Sequence, residues 1–99
     1  MEVSPLPGRS GIRVGGEVSE LTRRPWEDAL SRLLRQHTGV TYVELADVAF
    51  VDVAGATALA VTAMRLPEGR MVVEHPPPQL LRVLDMFWPE LPQIEVVRR

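Results

Sequence analysis

Val48-Ala49-Phe50-Val51-Asp52-Val53-Ala54-Gly55-Ala56 lies mid-chain and joins two kinds of sequence. Before it, Val40-Thr41-Tyr42-Val43-Glu44-Leu45 is rich in β-branched and aromatic residues and reads as a strand. After it, Ala56 to Leu66 is rich in Ala, Leu and Met and reads as a helix that begins near Val53. Asp52 is the natural N-cap between them. Its carboxylate can accept from the orphan amides of Ala54 or Gly55 and favours the positive helix end. Gly55 permits close backbone approach. Taken locally, the stretch is an ordinary capped strand-to-helix turn. It also stands where α/β folds often place ligands or partners.

Working outward, Met1 to Pro7 predicts a short strand confined to an edge by its prolines. Ile12 to Val18 predicts a second strand, across the turn Pro7-Gly8-Arg9-Ser10-Gly11, so the two form a hairpin. Thr22 is a candidate helix N-cap, with Pro25 tolerated in the first turn. Trp26, Ala29, Leu30, Leu33 and Leu34 then make an apolar stripe, opposite Glu27, Asp28, Arg32 and Arg35. His37 falls near the end of that helix and suits its negative pole; Gly39 stops it. In the next helix Ala56, Leu59, Ala60 and Ala63 form a small-residue face for close packing on a sheet. Ala54, Ala58, Val61 and Arg65 form a second face.

Pro67-Glu68-Gly69 is a turn, Arg70 to Glu74 a short strand, and Pro76-Pro77-Pro78 starts a helix. Leu80, Leu81, Leu84, Phe87 and Trp88 recur at helical spacing until Pro89. Gln93 to Val97 is a last strand and Arg98-Arg99 a solvated tail. The order β-β-α-β-α-β-α-β predicts a single α/β domain over residues 1–99, a mixed β-sheet flanked by α-helices. Its predicted core includes Trp26, Leu30, Leu33, Leu59, Leu84 and Phe87.

Composition excludes several chemistries. The formal net charge of −2 disfavours nucleic acid and anionic lipid. All 11 basic residues are Arg, which removes Schiff-base and P-loop lysines, and there is no Cys. No serine nucleophile elbow occurs, and neither His37 nor His75 has a metal-ligand partner at suitable spacing. His75 reads as a loop residue. Asp52 and Asp85 can be imagined as a carboxylate pair, but Asp85 lies on the polar side of the last helix and reads as a solvated charge. No catalytic residue, metal or cofactor is expected. No apolar run approaches the roughly 20 residues of a membrane span, and the first residues lack signal-peptide features, so a cytoplasmic setting is expected.

Three segments resemble the STAS family, named for sulfate transporters and anti-sigma factor antagonists. Val14-Gly15-Gly16-Glu17-Val18, followed by Leu21-Thr22 and Pro25, resembles that family's second strand and the approach to its first helix. Val43 to Asp52 resembles its central signature, Asp-Leu-Ser-x-Val-x-Phe-Ile-Asp. Pro78-Gln79-Leu80-Leu81-Arg82-Val83-Leu84 resembles the start of its last helix. The resemblance implies a STAS-type fold and a regulatory protein-interaction role like that of an anti-sigma factor antagonist. Its implied partner is a kinase-type anti-sigma factor or a related regulator, and a homodimer is a further possibility. It also implies an interface at Asp52, Val53, Ala54, Gly55, Thr57, Ala58 and Val61. In those antagonists the Asp is followed by two hydroxyl residues, the second being phosphorylated. Here Val53 and Ala54 stand in those positions, so Ala54 is a degenerate phosphoacceptor position and phosphate control there is lost. The acidic residue expected after Val18 is Ser19, or Glu20 with one residue inserted. The segment after Thr57 is short for the family. The alternatives are a small-ligand or nucleotide sensor and an accessory subunit of a transporter.

Overall fold

The computed structural model describes residues 1–36, 39–66 and 69–97. The readings made at His37, at Pro67-Glu68 and at Arg98-Arg99 lie outside the described residues. In chain order the elements are β1 (Glu2–Pro5), β2 (Gly11–Val18), a 3-10 turn (Glu20–Thr22), α1 (Arg23–Gln36), β3 (Val40–Val51), α2 (Val53–Met64), β4 (Arg70–Glu74), α3 (Pro78–Phe87) and β5 (Ile94–Val97). One sheet holds all five strands in the order β1-β2-β3-β4-β5. The hairpin makes β1 antiparallel to β2, and every later pairing is parallel. Each parallel step moves one strand further in the same direction. Crossovers of one hand therefore place α1, α2 and α3 side by side on one face.

That face holds the core. Val14, Val43, Leu45, Met71 and Val73 point into it from the strands. Trp26, Leu30 and Leu33 meet them from α1, Leu59, Ala60 and Ala63 from α2, and Leu80 and Leu84 from α3. The alternate strand positions, Tyr42, Glu44 and Glu74 among them, face away from the helices.

β3 is longer than its first six residues predict. Its pairing with β2 is irregular at two places, and the residue-number offset between partners rises from 31 at Gly11↔Tyr42 to 33 at Val18↔Val51. β3 thus carries two residues more than β2 over that length. Bulges of this kind interrupt the two-residue alternation: Ala46 and Asp47 are both exposed, and so are Ala49 and Phe50. Beyond Glu44 the strand has no partner in β4 and runs on against β2 alone, out to Asp52.

Two local expectations are corrected. Thr22 is the last residue of a 3-10 turn that precedes α1, and Ser19 is the N-cap of that turn. The Thr22 hydroxyl accepts from the Ser19 amide at 2.9 Å and donates to the Glu17 carbonyl at 2.8 Å, so Thr22 closes the cap from inside. Phe87 is 56% exposed rather than in the core. The backbone leaves helical geometry at Trp88, whose amide bonds to the Leu84 carbonyl. Trp88 packs against the core instead, and Phe87 meets it edge-on from outside, with ring centroids 5.9 Å apart.

Leu59 is wholly buried between α2 and the sheet. Leu59→Ala should cost about 2–5 kcal/mol, the range for a leucine deleted from a packed core. Chemical denaturation of the two proteins measures it, and a loss below about 0.5 kcal/mol would be a surface value and contradict this packing.

Candidate functional site

The junction of β3 and α2 is built around Asp52 and Gly55. Asp52 has extended backbone angles and its amide bonds to the Val18 carbonyl at 3.0 Å, which ties it to the end of β2. Its Oδ1 accepts from the Gly55 amide at 2.7 Å, the cap expected from sequence. Gly55 is buried against the ends of both strands. A Cβ there would lie 2.5 Å from Val18 Cγ1, 3.2 Å from Val51 Cγ1 and 3.1 Å from Asp52 Oδ1. The Gly55 carbonyl in turn accepts from Trp26 Nε1 at 3.0 Å, in the interior. The first turn of α2 is therefore pinned to β2, β3 and α1 together.

The sequence-derived residues then divide by what they face. Ala54, Thr57, Ala58 and Val61 line a shallow groove of about 380 Å³ between α1 and α2. Asp52 and Gly55 hold the turn beneath it. Val53 is 54% exposed beside the groove without lining it. The Thr57 hydroxyl donates to the Val53 carbonyl at 2.9 Å, one turn back along the helix. The opposite wall, Glu27, Leu30, Ser31 and Leu34, was not anticipated. Its signal lay in the i, i+3, i+4, i+7 spacing at the edge of the α1 stripe, which marks one helix face. Trp26 was read as core, and its indole bond to Gly55 had no sequence signal.

Ala56, Leu59, Ala60 and Ala63 are fully buried on the other side of α2. α2 contains neither Asp, Glu, Arg nor Lys from Val53 to Met64. It is apolar or small on nearly every side, yet its outward side is open. Val53 and Met64 are exposed, and Thr57, Ala58 and Val61 are half-buried.

The sheet face away from the helices carries a second polar cluster. The Arg9 guanidinium stacks over the Tyr42 ring, 4.5 Å from its centroid, and meets Glu74 Oε1 at 2.9 Å. Glu44 is 8% exposed. Its carboxylate accepts from the Ala46 amide at 2.7 Å and stands 2.9 Å and 3.0 Å from His75 Nδ1. His75 has a left-handed backbone, φ 53°, which aims its ring back over the sheet. Asp85 is exposed on α3 and lines a separate depression with Trp88, Leu91 and Ile94. Among the described residues neither a hydrogen bond nor a shared cavity joins it to Asp52. Nor do any three His, Asp or Glu side chains among them gather as metal ligands. None of the described helices is long and apolar enough to cross a membrane.

Gly→Ala inside a helix ordinarily stabilises by about 1 kcal/mol. At Gly55 the new methyl would overlap Val18, so Gly55→Ala should instead destabilise by about 1–3 kcal/mol. Thermal melts of the two proteins give the sign. On the opposite face, Arg9 holds the Glu74 carboxyl below its ordinary range, chiefly through their hydrogen bond and against the cost of burial. A depressed folded value means that the pair stabilises above the ordinary Glu range. That contribution is lost as pH falls through the lower folded value. Arg9→Ala should therefore be less stable than the parent at pH 7 and converge with it in acid. Denaturation midpoints from pH 7 to pH 2 test this, and a gap that persists in acid would assign the Arg9 effect to packing on Tyr42.

Comparison with known proteins agrees with this architecture. None of the curated proteins matches the sequence. Among solved structures, the anti-sigma factor antagonist SpoIIAA in its unphosphorylated form superposes with a TM-score of 0.68 at 18% identity. The match covers 97% of this chain and 86% of that one, and it establishes the shared fold. The family described as "Mlab, STAS domain" matches residues 2–87, a span that runs from β1 through α3. With its five-stranded mixed sheet and its capped β3–α2 junction, the chain belongs to the STAS domain family.

Proposed function

We propose that this domain is a non-catalytic protein-interaction module that docks a regulatory protein through α2 and the α1–α2 groove, without phosphate control at Ala54. The observation that carries the reading is the composition of α2. A helix that is apolar all round is normally covered on all sides. Here the outward side, Ala54, Thr57, Ala58 and Val61 with Val53 beside them, has no covering element among the described residues.

The partner class follows from the likeness to anti-sigma factor antagonists: a kinase-type anti-sigma factor or a related regulator, in a cytoplasmic setting. Ala54 presents a methyl group at the position that the family resemblance assigns to the phosphoacceptor. A phosphate would bring about −1.5 to −2 charge to an apolar contact and break it. An alanine leaves the contact permanently permitted. Thr57 is a poor substitute, because it lies one turn further on and its hydroxyl is turned to the Val53 carbonyl. Among the described residues Arg65 is the groove's one lining cation, which gives a nucleotide or other anion little to hold.

Ala54→Asp separates docking from folding. Ala54 is exposed in the first turn of α2, where a carboxylate is favoured by about 0.3–1 kcal/mol, so the variant should fold. Its binding should nevertheless fall at least about tenfold, because the new charge must be desolvated against the partner. Ala54→Ser should bind nearly as the parent does. The measurement is calorimetric titration of the three proteins against the partner recovered by affinity purification, with and without ATP, and mass spectrometry of the parent. Unchanged binding by Ala54→Asp, or stoichiometric phosphate on Thr57 that releases the partner, would overturn the proposal. Recovery of a transporter subunit in place of a kinase would keep the docking face and replace the anti-sigma assignment.

A further inference from the structure

The groove between α1 and α2 has a charge polarity. Among the described residues two charged side chains line it, Glu27 and Arg65. They stand at opposite ends. α1 and α2 are both crossovers between parallel strands, so they run in the same direction. Trp26 bonds to the Gly55 carbonyl, which sets Glu27 level with the first turn of α2. Arg65 is the C-cap of α2. From Ala54 to Arg65 the helix advances about 16 Å, some three turns at 1.5 Å per residue. The lining between them is apolar or hydroxylic: Leu30, Ser31, Leu34, Thr57, Ala58 and Val61. Among the described residues neither Glu27 nor Arg65 forms an ion pair, although Arg9, Arg70 and His75 elsewhere each have an acidic partner.

We infer that the groove receives an amphipathic α-helix of the partner, lying antiparallel to α2, with an acidic residue near its start and a basic residue about eleven positions later. The inference rests on the docking reading above and specifies its occupant. An uncharged floor of apolar and hydroxylic side chains, three turns long between two helices, suits a third helix read through i, i+3, i+4 and i+7 anchors. Two charges fix which end of it is basic, and the helix dipoles fix its direction. Its basic residue must meet Glu27 and its acidic residue Arg65. An acidic residue at a helix start and a basic one at its end also match that helix's own dipole. Running antiparallel, its negative C-terminal end lies beside the positive N-terminal ends of α1 and α2. The opposite direction would set each of these terms against the charge pairing.

The probe is a phage-displayed library on a single-helix scaffold, selected first on the parent domain and then on the Glu27→Arg, Arg65→Glu double variant. Glu27 and Arg65 are both exposed, and melting curves verify that the double variant folds. The parent should enrich helices with an apolar stripe, Asp or Glu near the start, and Arg or Lys about eleven residues on. Those peptides should bind the double variant more weakly, by about fivefold for each reversed charge, which corresponds to about 1 kcal/mol. Exchanging the two charges in a peptide should restore its affinity for the double variant. Peptides that lose affinity for Ala54→Asp but ignore both reversals would overturn the charge polarity and leave the docking face standing. Peptides that bind Ala54→Asp as tightly as the parent would overturn the docking face itself, and the occupant with it.

Discussion

The absence of a side chain at Gly55 is the constraint on which the junction depends. α2 enters so close to the ends of β2 and β3 that a methyl group would overlap Val18 and crowd Val51. At that distance the Gly55 amide reaches the Asp52 carboxylate and its carbonyl reaches the Trp26 indole. Each bond satisfies a polar group that would otherwise be buried at a cost of about 1–3 kcal/mol. Asp52 is in turn fixed by the bond from its amide to Val18. Close approach comes first, and the cap, the indole bond and the alignment of α1 with α2 follow from it.

The same closeness shapes the surface above. Ala56, Ala60 and Ala63 keep α2 low on the sheet, since small side chains permit close packing. The outward residues Ala54 and Ala58 are small as well, so α2 raises no ridge of its own. α1 stands beside it with Leu30 and Leu34, and the difference in side-chain length between the two helices is the groove. A partner would meet a trough whose floor is rigid because it is the outer side of a packed core element.

How much of this was legible depended on whether a local rule went unopposed. Asp52 and Gly55 obey capping and close-approach rules that need no distant partner, so the start of α2 could be read from sequence. The inward face Ala56, Leu59, Ala60 and Ala63 follows from helical period alone. β3 was only half legible. Its first residues alternate, but the bulges against β2 place Ala46 with Asp47, and Ala49 with Phe50, on the exposed side. A period of two cannot be read through them. Phe87 kept the period of α3 and was misplaced because the chain turns at Trp88. The α1 wall of the groove and the Trp26–Gly55 bond are properties of two helices 29 residues apart, and neither segment announces the other. The Glu44–His75 pair joins residues 31 apart and was hidden in the same way.

The two faces of the sheet spend their charges differently, and this favours the helical side for docking. On the open face two clusters of polar groups are turned on one another. Arg9 is taken up by Glu74 and Tyr42, and Glu44 by His75 and the Ala46 amide. A partner approaching there would have to break those contacts before making its own, and the gain from a new pair would be offset by the one lost. On the helical side the order is reversed. The lining of the groove is apolar or hydroxylic, and among the described residues Glu27 and Arg65 have no ion pair to give up. Association at that face desolvates Glu27 and Arg65 but breaks none of the ion pairs described above, and that asymmetry distinguishes it from the face opposite.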